Sequence, residues 1–219
     1  MKKIFNIFIL ICFAAFISGC EKELTSEGVS RLTEYVDFEL VKGDLLLIPV
    51  GNVFVDPGFK AMDKTTDVTS KVTVEGTADG TKLGLYTIKY SATNSDGYTN
   101  SVTRTIIVYD PNAPATDFSG NYLANVKRIS PARAFTGLSV KITKLAPGFF
   151  YVSDLLGGFY DQGSNYAYGA AYALTGYLQL KSDNSLTLIS SYVAAWGDSA
   201  DSLTAGSYDP VTKGLSWET

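Results

Sequence analysis

The chain has no histidine in its 219 residues and only two cysteines, Cys12 and Cys20. Histidine is the side chain that titrates near neutrality and the commonest metal ligand, so its absence excludes Ser-His triads, Cys-His dyads and imidazole-based zinc sites. Carboxylate chemistry and calcium are the options that remain. With both cysteines at the N-terminal end, no disulfide can staple the rest of the chain, and its stability must come from packing. Positive charge is scarce as well. The 18 Lys and Arg against 22 Asp and Glu give a formal net charge of -4, without the clustered cations that an electrostatic grip on nucleic acid requires. Nucleic acid is therefore not an expected partner.

What is present begins with an address. Lys2 and Lys3 precede an apolar run from Ile4 to Ile17, interrupted by Asn6 and followed by Ser18-Gly19-Cys20. A basic end, a short apolar segment and small residues make a secretory signal. The run is too short for a transmembrane helix, which takes ~20 apolar residues. Ile17-Ser18-Gly19-Cys20 resembles the lipobox of bacterial lipoproteins. The resemblance implies cleavage before Cys20 and acyl chains on its thiol, with a membrane as partner. One acyl chain anchors only marginally at about 0.8 kcal/mol per buried CH₂, and the multiply acylated cysteine of such lipoproteins meets the need for more. The expected organisation starts with a signal over 1–19 and a polar, lipidated tether over 20–34, where Glu21, Glu23 and Glu27 lie among residues with no hydrophobic period.

Residues 35–110 read as β structure. The segment 45–50 is a short apolar run, Val72 and Val74 alternate with polar neighbours, and Tyr86, Ile88 and Tyr90 face one way while Thr87, Lys89 and Ser91 face the other. Asn94-Ser95-Asp96-Gly97 marks a turn and 99–109 a returning strand. Strands at this spacing with no helical stretch predict a β-sandwich. Asp110-Pro111-Asn112-Ala113-Pro114 ends it, since prolines cannot continue a ladder, and 111–116 reads as a linker. Val55-Asp56-Pro57-Gly58-Phe59-Lys60-Ala61, Asp67-Val68-Thr69-Ser70-Lys71-Val72, Gly84-Leu85-Tyr86-Thr87-Ile88-Lys89-Tyr90, the turn at 94–97 and Arg104-Thr105-Ile106-Ile107-Val108 together resemble the bacterial Ig-like repeats of cell-surface proteins. That resemblance implies an immunoglobulin-like sandwich serving as spacer or binding module, with no catalytic residues to carry over.

Residues 117–219 predict a second antiparallel β domain, sandwich or barrel-like, with strands over 122–128, 138–143, 149–153, 174–180, 186–192, 202–208 and 214–218. The stretches around Phe118-Ser119-Gly120, Lys127-Arg128-Ile129, 151–160 and Trp196-Gly197-Asp198 resemble a C-terminal β domain that follows the Ig-like module in Bacteroidetes surface lipoproteins. After Ser216-Trp217-Glu218 a missing closing strand would leave an exposed edge, so the expectation is either that the domain closes differently or that the sequence is shortened. The fold class expected is thus all-β, an Ig-like sandwich followed by a second antiparallel β domain.

The most unusual stretch is 149–177, in which Tyr160, Tyr166, Tyr168 and Tyr172 alternate with glycines. Tyrosine has an apolar face and a polar tip, so tyrosines on a glycine-rich loop can stack on sugar rings while Asp154, Asp161, Gln162 and Asn165 bond hydroxyls. Trp196 is the further candidate, and Trp217 reads as packing. The alternative is that these aromatics fill the core and the glycines let strands turn. Carboxylate pairs such as Asp154 with Asp161, or Asp198 with Asp201, are the arrangement glycoside hydrolysis uses, but short acids in loops are mostly turn formers. Asp56, Asp63 and Asp67 lack the dense acidic array of a calcium loop. The expectation is a non-catalytic, cofactor-free lipoprotein that binds polysaccharide or outer-membrane transport proteins at the cell surface, with a structural or adhesive role as the other reading.

Overall fold

The computed structural model describes residues 33–219; the signal segment, Cys20 and the tether up to residue 32 lie outside the described residues. Two β sheets make the first half. Strands β1 (Asp37–Leu40), β3 (Phe59–Asp63) and β4 (Thr66–Asp67) pair antiparallel, and β2 (Leu45–Pro49), β5 (Thr73–Glu75), β6 (Gly84–Thr93) and β7 (Thr99–Tyr109) form a sheet in the order β2-β7-β6-β5. The apolar run at 45–49 lies parallel to β7, with Leu46 beside Ile106 and Ile48 beside Val108. The alternation in β6 does what its period demands: Ile88 and Tyr90 are buried while Thr87 and Lys89 face solvent. Ile88, Tyr90, Ile106 and Val108 then pack against Phe38, Leu40 and Phe59 of the facing sheet, giving the immunoglobulin-like sandwich its core.

One local expectation is corrected. Val74 is 47% exposed, because β5 is a three-residue strand at the free edge of its sheet, and of the two valines only Val72 packs inward. Strands β1, β3 and β4 are too short to stand out in the sequence, and Phe59–Asp63 has a lysine and an aspartate among its five residues.

In the second half, β8 (Gly120–Arg128), β9 (Arg133–Ala146), β10 (Phe149–Val152), β11 (Thr175–Leu180) and β12 (Leu186–Tyr192) form an antiparallel meander in sequence order. A hairpin of β13 (Thr204–Tyr208) and β14 (Leu215–Glu218) packs on it. Val140, Ile142, Phe150, Val152, Leu178, Leu180 and Tyr208 make the core, with Phe118 stacked on Phe150 at 3.7 Å between ring centroids. Trp217 packs against this cluster and its indole N–H donates to the Leu155 carbonyl at 2.7 Å, a packing role as the sequence suggested.

Residues Tyr35–Thr219 form one compact unit, and the reason is visible in adjacent side chains. Ile106 and Val108 point into the first core, whereas Ile107 between them joins Ala146 and Phe149 in a buried cluster shared by both halves. Phe149 and Phe150 divide in the same way. The 111–116 segment is strapped across this junction, with the Lys144 ammonium donating to the carbonyls of Ala115 and Thr116 at 2.9 and 3.2 Å.

Candidate functional site

Between β10 and β11 the chain makes a long excursion over 153–174, well past the ~12–15 residues at which irregular loops become uncommon and usually functional. A buried carboxylate closes its base. Asp154, 1% exposed, accepts N–H groups from Leu156 at 2.8 Å, Gly158 at 3.0 Å and Leu174 at 3.1 Å, so one side chain ties together the start and the end of the loop. Burial pushes its carboxyl above the usual carboxylate range, opposed by those three N–H groups. Gln162 fixes the loop to β9, accepting from the Ser139 N–H at 2.9 Å and donating to the Ser139 carbonyl at 2.8 Å. Gly163 permits the close approach, because a Cβ there would run into the Phe135 ring and the Phe159 carbonyl.

These anchors correct part of the sequence reading. Asp154 and Gln162, expected to bond ligand hydroxyls, instead bond within the protein, Asp154 to three backbone N–H groups and Gln162 to the Ser139 backbone and the Asp161 carboxylate. Asp161 is half-buried and accepts from the Gln162 amide at 3.2 Å, which leaves Asn165 as the exposed member of that set.

The five aromatic candidates, by contrast, meet. Tyr160 lies 4.9 Å from Trp196 between ring centroids, Trp196 5.4 Å from Tyr172, Tyr172 5.0 Å from Tyr168, Tyr168 5.4 Å from Tyr166, and Tyr166 5.1 Å from Tyr160. The contacts close a cycle of tilted and edge-to-face pairs, the geometry aromatic quadrupoles favour. Trp196 reaches the cycle from the 193–198 turn, whose Ala195 N–H donates to the Ala171 carbonyl at 2.9 Å. Tyr168 is 51% and Trp196 47% exposed, so the cycle presents ring surface to solvent.

Three residues with no signal of their own in the sequence reading border this cycle and hold it. Phe135, on β9, packs edge-on against Phe159 and Tyr166. Arg128, at the end of β8, donates to the Tyr160 and Tyr166 hydroxyls, each at 3.1 Å, and to the Pro131 carbonyl at 3.0 Å. Arg133, at the start of β9, lies over the Tyr166 ring at 5.0 Å. They are about thirty residues away in sequence, at the rate of one hairpin and one strand, and only the Lys127-Arg128-Ile129 motif hinted at one of them. Alongside runs a groove of about 1030 Å³, bounded by β8 and β14 and reaching Arg128 and Tyr160. Each of those strands has a paired neighbour on one side only.

Comparison with known proteins gives these features a setting. A family model for a bacterial surface protein Ig-like domain matches residues 38–108, and a C-terminal-domain family model matches 110–219. The lipoprotein BT2262 from Bacteroides thetaiotaomicron, known from a crystal structure, is 37% identical over 84% of this chain and 92% of its own, with a TM-score of 0.44. The chain belongs to the family of this Bacteroides lipoprotein. Membership rests on sequence identity and coverage. Two structures of Clostridium perfringens ZmpB also overlap at 19% identity: CBM51-2 in complex with GlcNAc and INT domains, and the M60 catalytic domain with CBM51-1 and CBM51-2. They cover 53% and 56% of this chain, 28% and 14% of theirs, with TM-scores of 0.29 and 0.32, an overlap too small to carry an argument. No curated protein matches the chain.

In this lipoprotein family member the Ig-like motif residues also converge, for a structural purpose. Arg104, fully buried, forms an ion pair with Asp56 and donates to the carbonyls of Val41 and Gly58 at 2.9 Å and of Gly43 at 3.2 Å. The Tyr90 hydroxyl donates to the other Asp56 oxygen. Asp63 and Asp67, weighed as calcium ligands, instead accept backbone N–H groups of Ser95 and Thr69 at 2.7 and 2.8 Å. The aromatic cycle is therefore the candidate binding site, and the acidic motif residues are fold determinants.

Proposed function

We propose that the chain is a non-catalytic surface lipoprotein, anchored to the outer membrane through acyl chains on Cys20, whose C-terminal domain binds glycan on the aromatic cycle as an accessory to polysaccharide uptake. One observation carries this reading: five aromatic side chains from two separate loops form a single cluster in which Trp196 and Tyr168 stay half-exposed. A cluster meant only for packing gains nothing by leaving an indole and a phenol half in water, whereas stacking on the apolar face of a pyranose needs them there. The groove that reaches Tyr160 adjoins this cluster.

Affinity electrophoresis of the detergent-extracted full chain against a panel of polysaccharides tests it. Retardation by at least one glycan is expected, weakened about tenfold or more by Trp196→Ala or Tyr168→Ala. Mobility unchanged by every glycan would remove the reading. The anchor has its own assay: cells fed a labelled fatty acid are expected to label the parent chain and not Cys20→Ser.

A structural or adhesive role is the second reading, and one feature favours it. Strand β8 leaves one edge unpaired, with Leu123 on it 76% exposed and Ile129 in the turn that follows 84% exposed, a surface that a protein strand can extend. Crosslinking in intact cells separates the readings, since a partner protein captured through β8 with no glycan retardation favours adhesion.

A further inference from the structure

The aromatic cycle is bordered by cations that have no counter-charge. Among the described residues the ion pairs are Lys64 with Asp96, Lys82 with Asp79 and Arg104 with Asp56, so neither Arg128 nor Arg133 takes part in one. Arg128 instead places its guanidinium 5.1 Å from the Phe159 ring centroid and Arg133 5.0 Å from that of Tyr166. A protein with net charge -4 has carboxylates to spare, yet the acids nearest in sequence look elsewhere: Asp161 accepts from Gln162 and Asp198 from the Ser199 N–H at 2.8 Å.

The hydrogen bonds point the same way. The Tyr160 and Tyr166 oxygens accept from Arg128, which leaves each phenolic proton free to be donated outward. Arg128 commits one N–H to the Pro131 carbonyl and one to each phenol, so two of the five that a guanidinium carries remain, and Arg133 adds its own. Of the loop side chains able to accept from a neutral sugar's hydroxyls, Asp154 and Gln162 are consumed inside the protein and Asn165 alone of the three stays exposed. The site is rich in donors and positive charge.

Resting on the glycan reading above, we infer that the aromatic cycle takes an acidic saccharide, with a sugar face on Trp196 and Tyr168 and its oxyanion, a uronate carboxylate or a sulfate ester, on Arg133 and the outer edge of Arg128. A guanidinium matches such an anion with parallel N–H bonds, the geometry a lysine cannot supply.

Isothermal titration of the detergent-extracted full chain with matched probes tests this: polygalacturonate against its carboxyl-reduced form, and chondroitin sulfate against its desulfated form. Binding about tenfold tighter to the carboxylated member of the first pair, or to the sulfated member of the second, whose partner keeps its uronate, is expected, and the pair that discriminates identifies the oxyanion. Arg133→Gln is expected to bring the two members within about threefold, whereas Lys89→Gln, which removes the same charge from the exposed face of β6, leaves the gap intact. A gap that survives Arg133→Gln, or that Lys89→Gln closes equally, is diffuse electrostatics and overturns the assignment. Equal affinity within both pairs overturns it too while leaving glycan binding standing, and no binding to any of the four overturns it as well, whereas the glycan reading itself falls only if the whole polysaccharide panel fails to retard the chain.

Discussion

At the scale of single residues, Arg104 and Asp56 decide how the Ig-like half holds together. A guanidinium with no exposed surface is tolerable only because Asp56 and three carbonyls meet it, and those carbonyls belong to the loop ends around 41–43 and 58. Arg104→Met strands the carboxylate and frees the carbonyls, so a loss of about 3 kcal/mol is expected from urea denaturation followed by fluorescence. Tyr90 carries a pH signature. Burial, and then its bond to Asp56, push the phenol up to about 12, against about 10 in an unfolded chain. A raised folded value means the stabilisation is complete below pH ~10 and disappears as pH climbs to ~12. Stability is expected to fall across that window in the parent chain and to fall less in Tyr90→Phe, which urea titrations at a series of alkaline pH values measure. The sequence displayed Asp56, Tyr90 and Arg104 as separate motif letters; their meeting is a matter of the two sheets facing each other.

The element that matters most is the 153–174 loop, and its order depends on one carboxylate. Asp154→Ala removes the acceptor shared by Leu156, Gly158 and Leu174 without touching an aromatic ring. Faster amide exchange is expected throughout 156–174, with the β8–β9 hairpin still protected, and glycan retardation should weaken alongside; hydrogen exchange read by mass spectrometry checks the first part. Exchange confined to residues 154–156 would show that the loop is held by its ring contacts instead. The loop's existence was legible, since its glycines break any alternation between Gly157 and Ala173. So was its aromatic content. Its internal wiring was not, because an aspartate facing a ligand and an aspartate facing backbone N–H groups have the same letter and the same neighbours.

At the scale of the whole molecule, the two halves are joined by a cluster that no motif announces. Ile107, Ala146 and Phe149 are buried between them, with Leu85, Tyr109, Leu145, Tyr177 and Ile189 around the rim. Phe149→Ala is expected to cost about 3–5 kcal/mol and to split thermal unfolding into two transitions where the parent chain shows one, as calorimetry would record. A single transition retained in the variant would mean that the linker contacts of Lys144 carry the coupling.

Local sequence by itself determined the β character of this protein, most of its longer strands and the aromatic stretch, because alternation, turn residues and composition act over a few neighbouring positions. The choice between the two faces of Ile106-Ile107-Val108, the fate of Asp154 and Arg104, and the closing of five rings, two of them held by Arg128, were decided only by the tertiary structure. Asp154 finds its partners up to twenty residues away and the others theirs at thirty or more; burial removes water as the competing partner in each case, and no local pattern encodes which group takes water's place.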